Sequence, residues 1–189
     1  MINNEEFTAL RADVARLASQ RVPSKFGLIP ASIQHLETVL EGDLTEDDRA
    51  DVYSLLVSEC SKAHNDPLYI EVLQRRAVEL PNDPMSHAGL AFRLALIDPS
   101  AREEALNIGY KALELAKSQD RQVRYCATNL ARIGLMLDDY AALQHALTEL
   151  VADAGNARAE DSRYEFDFVA QIDGQRCDVR LLNQYKALA

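Results

Sequence analysis

Ala77-Val78-Glu79-Leu80 closes a segment of apolar residues at helical spacing, and two near-copies follow it, Ala112-Leu113-Glu114-Leu115 and Ala146-Leu147-Thr148-Glu149-Leu150. Their alanines lie 35 and then 34 residues apart. A period of about 34 residues belongs to a helix–turn–helix unit, which buries its apolar face only by stacking on a neighbour. The spacing therefore predicts an all-α chain of stacked antiparallel helix pairs. Such arrays usually make binding surfaces rather than reaction centres.

Composition agrees with this reading. The 189 residues are 48% apolar and 26% charged, ordinary values for a globular chain long enough to bury a core. Tryptophan is absent and glycine scarce, while Ala and Leu dominate the apolar set; strands favour β-branched and aromatic residues instead. The net charge of −10 repels phosphate backbones, and the densest basic pair, Arg75-Arg76, is soon followed by Glu79. Nucleic acid is therefore not an expected partner. The acidic run Glu41, Asp43, Glu46, Asp47, Asp48 and Asp51 reads as a solvated loop and the first turn of a helix.

Cys60, Cys126 and Cys177 are isolated and form no CxxC pair, so they read as reduced thiols of a cytoplasmic protein. The start of the chain lacks a signal-peptide pattern. The most apolar stretch, residues 88–97, is broken by Arg93 and is half the length of a membrane span.

Caps and periodicity divide the chain into nine to ten helices. The first is expected over residues 4–20 from an Asn4 cap, burying Phe7, Leu10, Val14 and Leu17. Residues 21–29, with Pro23 and Gly27, read as a loop whose Phe26, Leu28 and Ile29 pack downward. A second helix, 31–41, carries Ile33, Leu36, Val39 and Leu40 and stops at Gly42. Thr45 opens a third through a capping box, with Val52, Leu55, Leu56 and Cys60 inward.

Asp66-Pro67 and Asp83-Pro84 read as the starts of the fourth and fifth helices. The fourth carries Ile70, Leu73, Ala77 and Leu80 inward, and the fifth Ala88, Ala91, Leu94 and Ala95. Ser100 to Glu103 reads as a capping box for the sixth, with Ala105, Ile108, Ala112 and Leu115. The seventh carries Val123, Ala127, Leu130 and Ile133, and the eighth, after Asp138-Asp139, carries Leu143, Ala146, Leu147 and Leu150.

A ninth helix is expected over 158–172. Its Tyr164 and Phe168 would cover the last apolar face, and Phe166 with Val169 or Val179 would offer a patch for dimerisation or partner docking. A short helix over 178–188 follows. No strand is expected. The chain reads as one domain: an N-terminal helical pair (1–44), three hairpins (45–153) and C-terminal capping helices (154–189).

Ala77-Val78-Glu79-Leu80-Pro81-Asn82-Asp83-Pro84 resembles the junction between tetratricopeptide repeats. Leu130 to Tyr140 resembles the family's turn between first and second helices. The first helices depart from the pattern in lacking its large aromatic, except for a match at Tyr53. The resemblance implies a right-handed superhelix whose first helices line a groove for a peptide or helix of another protein. It points to Arg93, Tyr125, Thr128, Asn129 and Arg132 as the partner-binding residues. The two arginines suit bidentate recognition of a carboxylate. The family's carboxylate clamp of lysines and asparagines is not recognisable.

No pattern of residues indicates catalysis, a cofactor or a metal. Cys60 and His64, four apart, are two ligands without companions. Adjacent acids such as Asp47-Asp48 point about 100° apart on a helix, which does not suit shared acid–base work. Phosphate-binding glycine loops are missing. The expected function is a non-catalytic interaction module. The alternatives are a cytoplasmic secretion-type chaperone, from size and acidity, and a small-ligand sensor or enzyme with a pocket around Cys60, His64 or His87.

Overall fold

A computed structural model describes residues 2–153 and 171–187. The fold is predominantly α-helical, with nine α-helices among the described residues, and it divides into two compact units, Met1–Leu80 and Pro81–Ala189.

The first unit opens with α1 (Asn4–Leu17). Its cap is Asn3, one residue before the expected Asn4. The Asn3 side chain accepts from the amides of Glu5 and Glu6, and the Glu6 carboxylate accepts from the Asn3 amide, a closed capping box. Leu10 and Val14 enter the core.

The stretch expected to be a loop is a β-hairpin, β1 (Arg21–Ser24) paired antiparallel with β2 (Gly27–Pro30), Val22 opposite Ile29. Gly27, at φ +93°, takes a backbone conformation that L-residues rarely adopt and so permits the reversal. Ser24 Oγ donates to the Gly27 carbonyl and accepts from the Phe26 amide, closing the turn. Pro23 is tolerated because a two-stranded ribbon leaves one side of each strand open. Ile29 is buried and Phe26 packs against the core, but Leu28 is 70% exposed. Alternation along a strand turns Leu28 away from the face that Ile29 occupies.

Helices α2 (Ala31–Leu40), α3 (Glu46–Ala63) and α4 (Asp66–Glu79) complete this unit, α2 packing on α1 and α3, and α3 on α4. Thr45 caps α3 as read from sequence, its Oγ accepting from the Asp48 amide at 3.2 Å. The cap of α4 is Asn65 rather than Asp66, which places Pro67 at the second helical position. Asn65 also donates to the Phe26 carbonyl at 3.0 Å, tying the hairpin to the start of α4. Leu68 and Val72 join Leu73, Ala77 and Leu80 in the core, and Ile70, expected inward, is only partly buried. Ile33, Leu36, Tyr53, Leu56 and Cys60 are sealed from solvent.

The second unit contains α5 (Pro84–Ile97), a 3-10 turn (Pro99–Ala101), α6 (Arg102–Ser118), α7 (Val123–Met136), α8 (Tyr140–Ala152) and α9 (Val179–Lys186). Asp83 caps α5 through the amides of Met85 and Ser86, with Pro84 first in the helix where no donor is lost. Ser100 does not cap α6. Asp98 accepts from the Ser100 amide and starts the 3-10 turn, which runs into α6 without a side-chain cap.

Short connections make α5–α6, α6–α7 and α7–α8 antiparallel neighbours, and α5 also packs on α7. The alanines that set the sequence period are buried: Ala77 in the first unit, Ala112 and Ala146 in the second. Gly134 brings α7 onto the start of α8. A Cβ there would lie 2.8 Å from the Leu143 amide nitrogen and 2.9 Å from the Asp139 carbonyl oxygen.

The aromatic cap assigned to Tyr164 and Phe168, and the patch centred on Phe166, lie outside the described residues. Within them, Cys177 and Tyr185 join the core that contains Leu143, Leu147 and Leu150, and α9 packs on α8. Asp178 caps α9, and Val179 is exposed.

Candidate functional site

Helices α5 and α7 of the second unit are 14 residues each and pack against one another, both neighbouring α6. Since α6 runs opposite to both, α5 and α7 run the same way. Arg93 and Arg132 each stand tenth in their helix, and Ile97 and Met136 each stand last.

On α7, Tyr125, Thr128, Asn129 and Arg132 recur at steps of three, one and three, which places them on one face. Continuing that spacing reaches Met136. The structure therefore unites the α7 candidates on one stripe and places Arg93 on the neighbouring helix.

Their exposure separates them. Tyr125 is 42% exposed, and Arg93 and Arg132 are half-buried. Thr128 and Asn129 are only 6% and 7% exposed, so they sit beneath the surface rather than on it. Asn129 Nδ2 donates to the Tyr125 carbonyl at 3.0 Å, a bond that faces back along its own helix. The Thr128 hydroxyl is buried without a hydrogen-bond partner among the described residues. Leu96, Ile97 and Met136 are exposed apolar residues at the C-terminal ends of α5 and α7. The sequence reading missed them because residues ending an apolar helical run look like core.

The first unit holds a second concentration of polar groups that no motif signalled. Arg75 on α4 donates through Nε to the Tyr53 hydroxyl at 3.1 Å and through Nη2 to Glu37 at 3.2 Å. Burial pushes the Tyr53 phenol up to about 12. Arg49 pairs with Glu79 at 2.9 Å and donates to the Leu40 carbonyl at the end of α2. Buried Glu59 accepts from Ser32 at 2.7 Å and from Lys62 at 2.6 Å. These contacts tie α2, α3 and α4 together, and the carboxylates are engaged by neighbouring donors.

The cysteines are withdrawn from solvent. Cys60, Cys126 and Cys177 are free and buried. Burial pushes the Cys60 and Cys126 thiols up to about 12 and raises that of Cys177 as well. The reactive thiolate is thus disfavoured at neutral pH. His64 ends α3 in the left-handed conformation, and His87 Nε2 shares a hydrogen bond with the Pro81 carbonyl at 2.9 Å. No cluster of three or more His, Cys, Asp or Glu residues suited to a metal occurs among the described residues. No described helix is long and apolar enough to cross a membrane.

No family model, curated protein or solved structure matches this chain.

Proposed function

We propose that the chain is a non-catalytic interaction module, tetratricopeptide-like in its repeat, that holds a peptide or helix of another protein on the α5/α7 face. The observation that supports the reading is a pair of contacting helices with two kinds of contact group. Arg93 and Arg132 each stand tenth in α5 and α7, which also carry exposed Tyr125, Leu96, Ile97 and Met136. Tyrosine and arginine are enriched where interfaces draw most of their binding energy. A rim of exposed apolar side chains supplies area whose removal from water favours association.

Panning a random peptide library against the full chain tests the proposal. Peptides selected by the wild-type protein are expected to lose at least tenfold in affinity for the variant carrying Arg93→Glu and Arg132→Glu. If every selected peptide binds that variant as it binds the wild type, the face is wrongly assigned. Circular dichroism of the variant shows whether the helices have survived.

A further inference from the structure

Asp138 lies in the turn between α7 and α8 at φ +57°, the left-handed region that favours glycine. Backbone groups close the turn: the Asp138 amide donates to the Leu135 carbonyl at 3.2 Å, and the Asp139 amide to the Gly134 carbonyl at 2.7 Å. This is the Schellman arrangement, whose left-handed position is usually glycine. Among the described residues, the Asp138 carboxylate serves elsewhere, accepting from both terminal nitrogens of Arg176. An aspartate thus stands where glycine would be easier, and its charge holds a residue 38 positions on.

Arg176 belongs to the segment that leads into α9. Its guanidinium lies 4.0 Å from the centroid of the Tyr140 ring, and the Tyr140 hydroxyl accepts from the Asp173 amide at 3.3 Å. Both contacts fall at the start of α8. Farther along, Cys177, Leu182 and Tyr185 are buried, and Ile172 and Leu181 pack against the core that contains Leu143, Leu147 and Leu150. Helix α9 has only eight residues, fewer than an isolated helix needs to persist in water, so its order depends on docking. Among the described residues it packs chiefly on α8, whereas α5, α6 and α7 each pack on at least two other helices.

We infer that residues 171–187 form a strap that opens and recloses as one unit over α8 while the helices beneath it stay folded, and that the Asp138–Arg176 pair is its latch. Opening withdraws Leu182 and Tyr185 from the core and exposes the Cys177 thiol. Access to the side of α8 that they cover is therefore conditional on the latch. This inference is separate from the α5/α7 reading and does not depend on it.

Hydrogen exchange of the full chain, followed amide by amide by NMR, tests the strap. In the wild type the α9 amides are expected to be less protected than those of α7 and α8, by about tenfold or more. Arg176→Gln should lower α9 protection by a further factor of about two to five, the range of an exposed ion pair, and leave α7 and α8 unchanged. Asp138→Gly should loosen α9 by a similar factor while α7 and α8 stay as protected or gain, because glycine relieves the left-handed turn. Added to Asp138→Gly, Arg176→Gln should change α9 little, since the two substitutions remove one contact. Site-resolved alkylation gives a second readout. Cys177 should react before Cys60 and Cys126, and sooner still in Arg176→Gln, although losing a neighbouring positive charge disfavours its thiolate.

If the α9 amides exchange only as slowly as those of α8, or Cys177 reacts no sooner than Cys60, the strap has no opening of its own. If Arg176→Gln leaves α9 as in the wild type, or Asp138→Gly loosens α7 and α8 as much as α9, the pair is not a latch. Any of these results overturns the proposal.

Discussion

At the scale of single residues, close approach and burial set the sharpest expectations. Gly134→Ala would place a methyl group within 3 Å of backbone atoms of Asp139 and Leu143, which side-chain rotation cannot relieve. It is expected to destabilise the protein by roughly 1–3 kcal/mol in urea denaturation. Gly174→Ala, with no described atom within 4 Å, is the control that should be near neutral. The thiols offer a pH-resolved test. With Cys60 and Cys126 raised from 9.0 to about 12, the folded state binds protons that the unfolded state releases. Their contribution is therefore intact below about pH 9 and is lost as pH climbs toward 12. A thiol reagent at pH 8 is expected to label the native protein slowly and all three cysteines promptly after denaturation. Rapid labelling of Cys60 in the native state would contradict the burial on which this rests.

At the scale of elements, caps and an ion pair hold the C-terminal half together. Asp139 caps α8 through the Ala142 amide, and Asp139→Ala is expected to cost about 1 kcal/mol, read as a lowered melting temperature. The neighbouring Asp138 is bound by both terminal nitrogens of Arg176, whose guanidinium also lies 4.0 Å above the Tyr140 ring. The Arg176 hydrogen bond, with its charge and that of Arg102, holds the Asp138 carboxyl below its ordinary 3.8. A depressed folded value means the contribution is present above the unfolded value and lost as pH falls through the folded one. The stability difference between wild type and Asp138→Asn should therefore be visible at pH 7, begin to shrink near pH 4 and fade as pH drops further through the folded value. A difference that stays constant from pH 7 into strong acid would exclude the carboxylate as its source. The start signals of α3 and α5 were legible because Thr45 and Asp83 cap their helices by accepting from amides two or three residues on. The hairpin at residues 21–30 was not legible, because its strands are short and its anchor, Asn65, lies far along the chain.

At the scale of the whole molecule, charge and the core make the predictions. A net charge of −10 leads us to expect no binding of a labelled 30-nucleotide duplex at low salt. Binding that fades as salt is added would contradict this. The residues sealed in each unit should dominate stability: Leu56→Ala in the first and Leu143→Ala in the second are each expected to cost about 2–5 kcal/mol in urea denaturation. The candidate site was partly legible on this scale. The resemblance to tetratricopeptide repeats, rather than the spacing itself, implied that first helices line a surface and so pointed to Arg93, Tyr125 and Arg132 as candidates. It gave no means of knowing that Thr128 and Asn129 lie beneath that surface, because an amphipathic pattern does not distinguish a polar residue at the rim from one sunk between helices.

Helical class, most helix starts and the buried alanines at 77, 112 and 146 follow from the chain alone, since propensity, capping and apolar spacing act within a few residues. Tertiary structure decided the strand pairing at Val22 and Ile29 and the burial of Leu68 and Val72 beside Leu73. It also decided that Arg93 and Arg132 occupy matching places on helices packed side by side. Each of these depends on which distant atoms meet after packing, and no local spacing encodes that.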